Sequence, residues 1–271
     1  MTVRSTTSAD FGDLEAALAG LAVPAPSTLA PATLVAVGLA DQYAPMASPI
    51  GPVFVAWNGL GVSAVGEADS AAAFEARLRA ASGRPIYPAV SIPPRLARAL
   101  ARRLGGDRRV PITLDLRDRT EFERAVWSKA LEIPRGEVRP YGWIATEIGR
   151  PKAVRAVGSA LGHNPIPLVI PCHRVVRSDG LIGQYSLGGP GNKRTMLAAE
   201  GLDPDELESL ARAGIRYIGS DTTRIFCLPS CHHARRVTPA HRVPLRSGAA
   251  AAAAGYRACR VCRPDSALRA A

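Results

Sequence analysis

The chain has 271 residues, 47% of them hydrophobic, which suffices for one or two ordinary domains with a buried core. Its 34 Lys and Arg residues exceed its 23 Asp and Glu residues, and the net charge of +11 favours a polyanionic partner. No apolar run reaches the roughly 18–20 residues of a membrane span, and acidic residues before the apolar stretch 16–23 argue against a secretion signal. Five cysteines are an odd number, which disfavours a complete disulfide framework and favours a reducing compartment, the cytoplasm.

The composition and the pattern of apolar residues change near residue 34. Residues 1–33 are rich in Ala, Pro and Ser, which predicts a weakly structured segment with one helical candidate at 10–20. From 34 to 117, alternating apolar residues predict a small α/β domain. Its predicted elements are a hairpin turning at Asn58-Gly59, a helix over 70–81 with Ser70 as its N-cap, a helix over 96–106 and a strand over 110–116.

Residues 118–203 have a more helical pattern. Thr120 opens a helix over 120–132, and two short helices follow at 140–149 and 152–162, joined by a tight Gly-x-Pro turn. The pair has the outline of a helix-turn-helix, although a plain helical hairpin has the same outline. The remaining predicted elements are a buried strand or extended segment at 166–170, a Gly-rich loop at 178–193 and a helix over 193–201.

The tail, residues 216–271, holds ten arginines, two aspartates and four of the five cysteines. The pairs Cys227-x3-Cys231 and Cys259-x2-Cys262 have the spacing with which two knuckles chelate Zn(II) tetrahedrally. A short helix between the pairs, begun by Ser247, fits such a module. Two disulfides, or a site of three cysteines with His232 or His233, are the alternatives.

Cys172 stands apart from the other cysteines, in the stretch VIPCHRVV. A lone cysteine after an apolar segment is often a buried, inert thiol. Against that interpretation, Pro171 holds the backbone rigidly, His173 offers a route for the thiol proton, and positive charge at Arg174 favours a thiolate. The sequence therefore predicts a reactive cysteine.

The chain resembles the O6-alkylguanine-DNA alkyltransferases, also called methylated-DNA–protein-cysteine methyltransferases, over roughly 120–201. The resemblance rests on one contiguous stretch, GEVRPYGWIATEIGRPKAVRAVGSALGHNPIPLVIPCHRVVRSDGLIGQYS. It implies a ribonuclease-H-like α/β domain over 34–117, followed by a helical alkyltransferase domain with a helix-turn-helix over 118–203. It further implies a monomer that binds double-stranded DNA containing alkylated guanine.

The resemblance assigns roles to particular residues. Cys172 corresponds to the family's alkyl acceptor, whose thiolate attacks the alkyl carbon on guanine O6 in a single turnover that is not reversed. His173 and Glu200 correspond to the relay that removes the thiol proton through a water molecule, and Asn164 to the hinge before the active-site segment. The guanine pocket corresponds to Tyr185, Ser186 and Lys193.

The same resemblance implies how DNA is held. The lesion is flipped out of the duplex, Tyr141 pushes on its phosphate and Arg155 fills the vacated stack. The small residues Ala156, Gly158, Ser159 and Ala160 let the second helix of the pair enter the minor groove.

The tail resembles the metal-binding domain of the Ada protein, in the motifs TTRIFCLPSC and AAGYRACRVCRPD. This implies zinc held by Cys227, Cys231, Cys259 and Cys262, with Cys227 either a methyl acceptor for phosphotriesters or only a structural ligand. Arg235 and Arg236 would hold flanking phosphates. Because the module is C-terminal and no second helix-turn-helix pair accompanies it, a role in transcription does not follow.

Two other classes of protein are also considered. A non-catalytic, lesion-binding or methylation-responsive regulatory protein on the same scaffold would lack the acceptor thiol, and Cys172 is present. A thiol-dependent hydrolase or redox enzyme would leave the helix pair and the charge of +11 unexplained.

Overall fold

The computed structural model of the protein describes residues 29–67 and 70–264. The helical candidate at 10–20 lies outside the described residues. The described chain begins with helix α1 (Leu29–Ala36). The sequence instead predicted a weakly structured segment up to residue 33 and a β pattern from residue 34, so both predictions are wrong at residues 29–36. The helix is held by the hairpin turn, because Gly59 donates its backbone N–H to Val35 O at 2.8 Å.

The first domain is a four-stranded sheet with helices. The sheet has the order β3-β2-β1-β4, in which β4 runs parallel to β1 and the other neighbours are antiparallel. The predicted hairpin is confirmed, since Asn58 pairs with Gly61 across its turn, and Ser70 caps its helix as predicted. The elements are β1 (Asp41–Ser48), β2 (Gly51–Asn58), β3 (Gly61–Glu67), α2 (Ala71–Ser82), β4 (Ile86–Pro88) and α3 (Pro94–Leu104).

The predicted strand over 110–116 is wrong. Only an isolated bridge joins Leu114 to Val62, with Asp115 donating its N–H to Val62 O at 2.8 Å. Pro111 lacks a backbone N–H for a regular ladder, and the segment is anchored instead by the Asp115 carboxylate, which accepts from Asn58 at 2.8 Å.

The second domain places two short helices against a longer one. Thr120 forms a capping box with Glu123 at the start of α4, as its sequence predicts. Trp127 on α4 donates its indole N–H to Ala160 O at 2.9 Å and so fixes the second helix of the pair. The elements are α4 (Glu121–Leu131), β5 (Arg139–Pro140), α5 (Tyr141–Glu147), α6 (Val154–Gly162), a 3₁₀ turn (Cys172–Arg174), β6 (Val175–Val176), α7 (Gly189–Ala199) and α8 (Pro204–Arg212).

Two predictions in this domain need correction, and one helix was not predicted. Residues 166–170 form a tight turn rather than a strand, with Ile170 donating its N–H to Ile166 O at 2.9 Å and Leu168 at a φ of 73°. Helix α7 begins at Gly189, inside the predicted loop, because Pro190 is well tolerated in a first helical turn. Helix α8 was not predicted, although Asp203 caps it by accepting from two backbone N–H groups.

The tail is a second, separate sheet with short helices. Its strands have the order β10-β8-β7-β9, and Ser247 caps the predicted helix between the cysteine pairs. Within residues 29–67 and 70–264, no helix is long and apolar enough to cross a membrane. The elements are β7 (Tyr217–Ser220), β8 (Ile225–Cys227), α9 (His232–Arg235), β9 (Arg242–Leu245), α10 (Gly248–Ala253) and β10 (Arg257–Ala258).

Candidate functional site

Cys172 lies at the floor of a small cavity beneath helix α6. Pro171 (φ −83°, ψ 62°) sits at the centre of a γ-turn in which Cys172 donates its N–H to Ile170 O at 2.8 Å. The thiol is therefore presented from a rigid turn and is only 5% exposed. The cavity has a volume of about 200 Å³ and is lined by Tyr141, Gly158, Leu161, Gly162, Cys172, Gln184, Tyr185 and Ser186.

Asn164 organises this turn from behind. Its Nδ2 donates to Ile170 O at 3.0 Å and to Cys172 Sγ at 3.1 Å, and its Oδ1 accepts from Ile166 N at 3.0 Å. Burial raises the pKa of the Cys172 thiol, while the hydrogen bond from Asn164 and the charge of Lys193 act in the opposite direction. The thiol is therefore neutral when the site is empty of substrate and needs a base to react near neutral pH.

His173 follows Cys172 in the same 3₁₀ turn and is fully buried. Its Nε2 lies 3.0 Å from Glu200 Oε1, which assigns the ring proton to Nε2 and leaves Nδ1 as the basic nitrogen. Nδ1 is buried and has no hydrogen-bond partner within the described parts of the chain. Burial lowers the pKa of His173 despite the neighbouring Glu200, so the imidazole is neutral and can accept a proton.

Glu200 accepts hydrogen bonds from Arg174 and Gly136 as well as contacting His173. Arg174 donates to it from Nε at 2.9 Å and from Nη2 at 2.7 Å, and Gly136 N adds a bond at 3.2 Å. Burial opposes ionisation of Glu200, but the bonds from His173 and Arg174 outweigh it and lower its pKa to about 2. The expectation that Arg174 acts on the thiol is therefore wrong, since its guanidinium is committed to the Glu200 carboxylate.

The walls of the cavity come from the Gly-rich loop and α7. Lys193 is fully buried and donates to Val175 O at 2.6 Å and Gln184 O at 3.1 Å, which fixes the loop. Burial lowers the pKa of Lys193 to about 8. Tyr185 packs edge-on against His173, while Ser186 lies at the exposed rim and hydrogen bonds to Cys172.

The helix pair forms the roof. Tyr141 begins α5 half-buried over the cavity, and burial raises its pKa. On α6, Gly158 lines the cavity, and a Cβ there would meet no heavy atom within 4 Å. Arg155 and Ala156 do not line the cavity; both are exposed on the outer face of α6. The structure thus separates the predicted site residues into cavity walls and an exposed helix face.

The four cysteines of the tail form a second candidate site. Their Sγ atoms all lie within 4.8 Å of one another and are buried, and no disulfide joins any cysteine. Four sulfurs about 2.3 Å from a zinc ion would lie about 3.8 Å apart, so the group fits a tetrahedral ion. Hydrogen bonds among the four thiols lower the pKa of Cys231 and of Cys259 and raise that of Cys227 and of Cys262, so the group shares its protons until a metal displaces them.

The structure also bears on whether a histidine could bind this metal and on which of its ligands are accessible. His232 is directed to Glu137, with Nδ1 2.9 Å from Glu137 Oε1, whereas the sulfurs of all four cysteines converge on one point. Cys227 and Cys259 line an open cavity of about 520 Å³, whereas Cys231 and Cys262 do not. Arg236 borders that cavity, but Arg235 turns away from it and donates to Gly201 O at 3.5 Å.

Known proteins match two segments of the chain. Residues 121–202 match the family model described as 6-O-methylguanine DNA methyltransferase, DNA binding domain, and residues 210–265 match the metal binding domain of Ada. The four-cysteine group is therefore a zinc site of the Ada type.

The chain is also similar to curated methyltransferases and to a solved structure. A methylated-DNA–protein-cysteine methyltransferase of Mycolicibacterium paratuberculosis is 54% identical over 89 residues, which are 33% of this chain and 53% of the relative. That of Rattus norvegicus is 47% identical over 100 residues, 36% of this chain and 46% of the relative. The chain thus spans about half the length of the curated relatives it matches. A crystal structure of Mycobacterium tuberculosis OGT in complex with DNA aligns at 36% identity and a TM-score of 0.49, covering 59% of this chain and 92% of that one.

Proposed function

We propose that this chain, a member of the methylated-DNA–protein-cysteine methyltransferase family with an Ada-type metal-binding domain, transfers alkyl groups from guanine O6 in DNA to Cys172. The observation that carries the proposal is the arrangement around the sulfur. Asn164 donates to Sγ at 3.1 Å, and the sulfur lies in a half-open cavity of about 200 Å³ whose roof is the helix pair. Such a site suits one flat, flipped-out base, which would displace water from around the thiolate.

The thiol proton leaves through His173. The unpaired Nδ1 accepts it, directly or through a water molecule, and the imidazolium so formed is stabilised by Glu200, whose carboxylate lies 3.0 Å from Nε2. The Asn164 N–H then holds the thiolate in place. The S–C bond forms as the C–O6 bond breaks, and guanine takes back one proton, so the products are a thioether and an unmodified base.

The helix pair delivers the base. Helix α6 presents Arg155 and Ala156 to solvent and Gly158 to the cavity, so a groove of DNA against α6 would lie over the opening. We assign Arg155 to the gap that the flipped base leaves and Tyr141 to the phosphate beside it. Tyr185, Ser186 and Lys193 shape the guanine pocket, the first two from its lining and the last by fixing the loop.

A second activity is favoured by the tail. Of the four zinc ligands, Cys227 and Cys259 alone border the open cavity, which is also lined by Arg236, Arg257 and Arg260. The zinc ion would keep its ligands as thiolates at neutral pH. We propose that Cys227 accepts methyl from a phosphotriester in DNA, and that the three arginines hold the neighbouring phosphates.

The finer description of the architecture belongs to the same proposal. The sheet order β3-β2-β1-β4, with β4 parallel to β1, supports a ribonuclease-H-like first domain over 34–117. The alkyltransferase domain spans 118–203 and the metal domain 216–271. That none of the five cysteines forms a disulfide supports a reducing location, the cytoplasm.

The proposal is tested with duplex DNA that carries one O6-methylguanine. The unmodified protein should restore guanine in an amount equal to the protein added, and Cys172→Ala should restore none. Cys227→Ala, which removes a zinc ligand but leaves Cys172 in place, should still restore guanine in an amount equal to the protein added, at a lower rate. Binding without repair by the unmodified protein would support the non-catalytic alternative instead.

A further inference from the structure

The metal-binding tail packs directly on α5, the first helix of the α5–α6 helix pair. Trp143, the third residue of α5, donates its indole N–H to the backbone carbonyl of Cys262 at 3.0 Å. Its side chain is only 2% exposed. One knuckle of the zinc site therefore provides the acceptor for the buried indole of the DNA-binding domain.

The residue after that knuckle adds two contacts to the same helix. The Arg263 guanidinium lies over the Trp143 ring, 5.3 Å from its centroid, and pairs with Glu147 Oε2 at 2.9 Å. Trp143 and Glu147 are four residues apart on α5, so a single side chain spans one turn of the helix. The backbone of Arg263 has a φ of 47°, and its N–H donates to Cys259 O at 2.9 Å within the knuckle.

The other knuckle packs on residues 137 and 138, which immediately precede β5 and α5. Ser230 Oγ accepts from Val138 N at 2.9 Å, and His232 N donates to Glu137 Oε1 at 3.1 Å. Glu137 also pairs with Arg139 at 2.6 Å, and both side chains are 2% exposed. Strand β5, which begins at Arg139, pairs with β6 directly after the Cys172–Arg174 turn. The two knuckles thus contact α5 and the residues before β5, and both of these elements adjoin the segment that contains Cys172.

We propose that the zinc centre positions α5 for DNA, and that Trp143 is the positioning residue through which it acts. This inference rests on the proposed function. The carbonyl of Cys262 and the side chain of Arg263 are in place only when the knuckle is closed around the metal, because a tail with so small a core depends on the metal to fold. When the knuckle opens, the Trp143 N–H loses its buried acceptor and Glu147 loses a cation. Helix α5 is then free to shift, and Tyr141 at its start moves with it.

The proposal distinguishes DNA positioning from thiol chemistry. Within the described residues, no hydrogen bond or ion pair joins Cys172, Asn164 or His173 to the tail, so removing the metal should slow the reaction with a free base less than the reaction with duplex DNA. Binding of duplex DNA should weaken about tenfold, the effect of losing one buried hydrogen bond. General unfolding would instead abolish both reactions.

The test uses the full chain loaded with zinc, the same chain after chelation, and the variants Trp143→Phe and Arg263→Ala. Trp57→Phe is the matched control, because Trp57 is a buried tryptophan of the first domain. Amide hydrogen exchange over 141–147 is measured together with the rates of reaction with duplex O6-methylguanine and with free O6-benzylguanine. Chelation and both interface variants should speed exchange in α5 and slow the duplex reaction more than the free-base reaction, with Trp57→Phe unchanged.

Two outcomes would overturn the inference: exchange in α5 that is unchanged on chelation and in both variants, or equal loss of the duplex and free-base reactions. Failure of the proposed function has a different signature, because the zinc-loaded, unmodified chain would then react with neither substrate. Arg263→Ala keeps the test informative if Trp143→Phe does not fold, since Arg263 is at the surface and half-exposed.

Discussion

Asn164 and Cys172, eight residues apart, are joined by an amide N–H that donates to the thiol sulfur at 3.1 Å. The other N–H of the same amide donates to Ile170 O, and its carbonyl accepts from Ile166 N. One side chain therefore shapes the turn before Cys172 and also supplies a hydrogen-bond donor to its sulfur.

Replacing this donor should slow alkyl transfer. Asn164→Asp is nearly the same size but places a carboxylate beside the sulfur, which raises the pKa of Cys172 further and leaves the thiolate without its N–H. We expect a rate at least about tenfold lower, from a charge-assisted bond worth roughly 1.5–3 kcal/mol. Single-turnover rates measured against pH should show the limb for thiol ionisation moved to higher pH. An unchanged profile would remove Asn164 from the mechanism.

Glu200 should make the protein sensitive to acid. Its pKa is lowered from 4.5 to about 2 in the folded chain, so its stabilising contribution is complete above about pH 4.5 and is lost as the pH falls towards 2. The loss should be on the order of 2–3 kcal/mol. Chemical unfolding of Glu200→Gln between pH 5 and 2 should show a flatter dependence than the unmodified chain. An equal slope in both proteins would show that the carboxylate is not held as described.

Gly158→Ala should separate stability from activity. No heavy atom lies within 4 Å of the added Cβ, and alanine stabilises a helix interior by ~0.5–1 kcal/mol over glycine. The methyl group nevertheless narrows the cavity and the face of α6 that would approach DNA. The variant should unfold at higher denaturant and repair DNA more slowly. Gly191→Ala on α7, equally unhindered, is the control that should gain stability without losing repair.

The tail should bind one zinc ion per chain. Native mass spectrometry should show that ion, and Cys231→Ser should lose it, because Cys231 is fully buried within the cluster. Finding instead a metal-free tail with two disulfides would overturn the metal assignment. Peptide mapping after exposure to DNA containing methyl phosphotriesters should place methyl on Cys227, whereas an unmodified Cys227 would make the site structural only.

Local signals in the sequence were sufficient for much of this structure. Caps at Ser70, Thr120 and Ser247 and the spacing of the paired cysteines depend on neighbours within a few residues, and the structure has each of them. The turn before Cys172 was harder to predict from the sequence. The apolar run at 166–170 has the composition of a strand, whereas Asn164 folds it into a turn.

What the sequence could not supply are contacts between distant segments. Arg174 is adjacent to the reactive pair, yet its partner Glu200 lies 26 residues away, so its charge was assigned to the wrong group. Trp143 looks like a core residue of α5, but its acceptor lies 119 residues further along the chain. Nothing in a local pattern predicts that the metal domain covers this face.

The central claim is that Cys172 is the acceptor of the alkyl group, and locating the transferred methyl tests it most directly. The protein is incubated with an excess of duplex DNA carrying isotopically labelled O6-methylguanine, digested and mapped by mass spectrometry. The account predicts one labelled methyl per chain, on the peptide that contains Cys172, in an amount equal to the guanine restored. Restored guanine with an unlabelled Cys172 would contradict it.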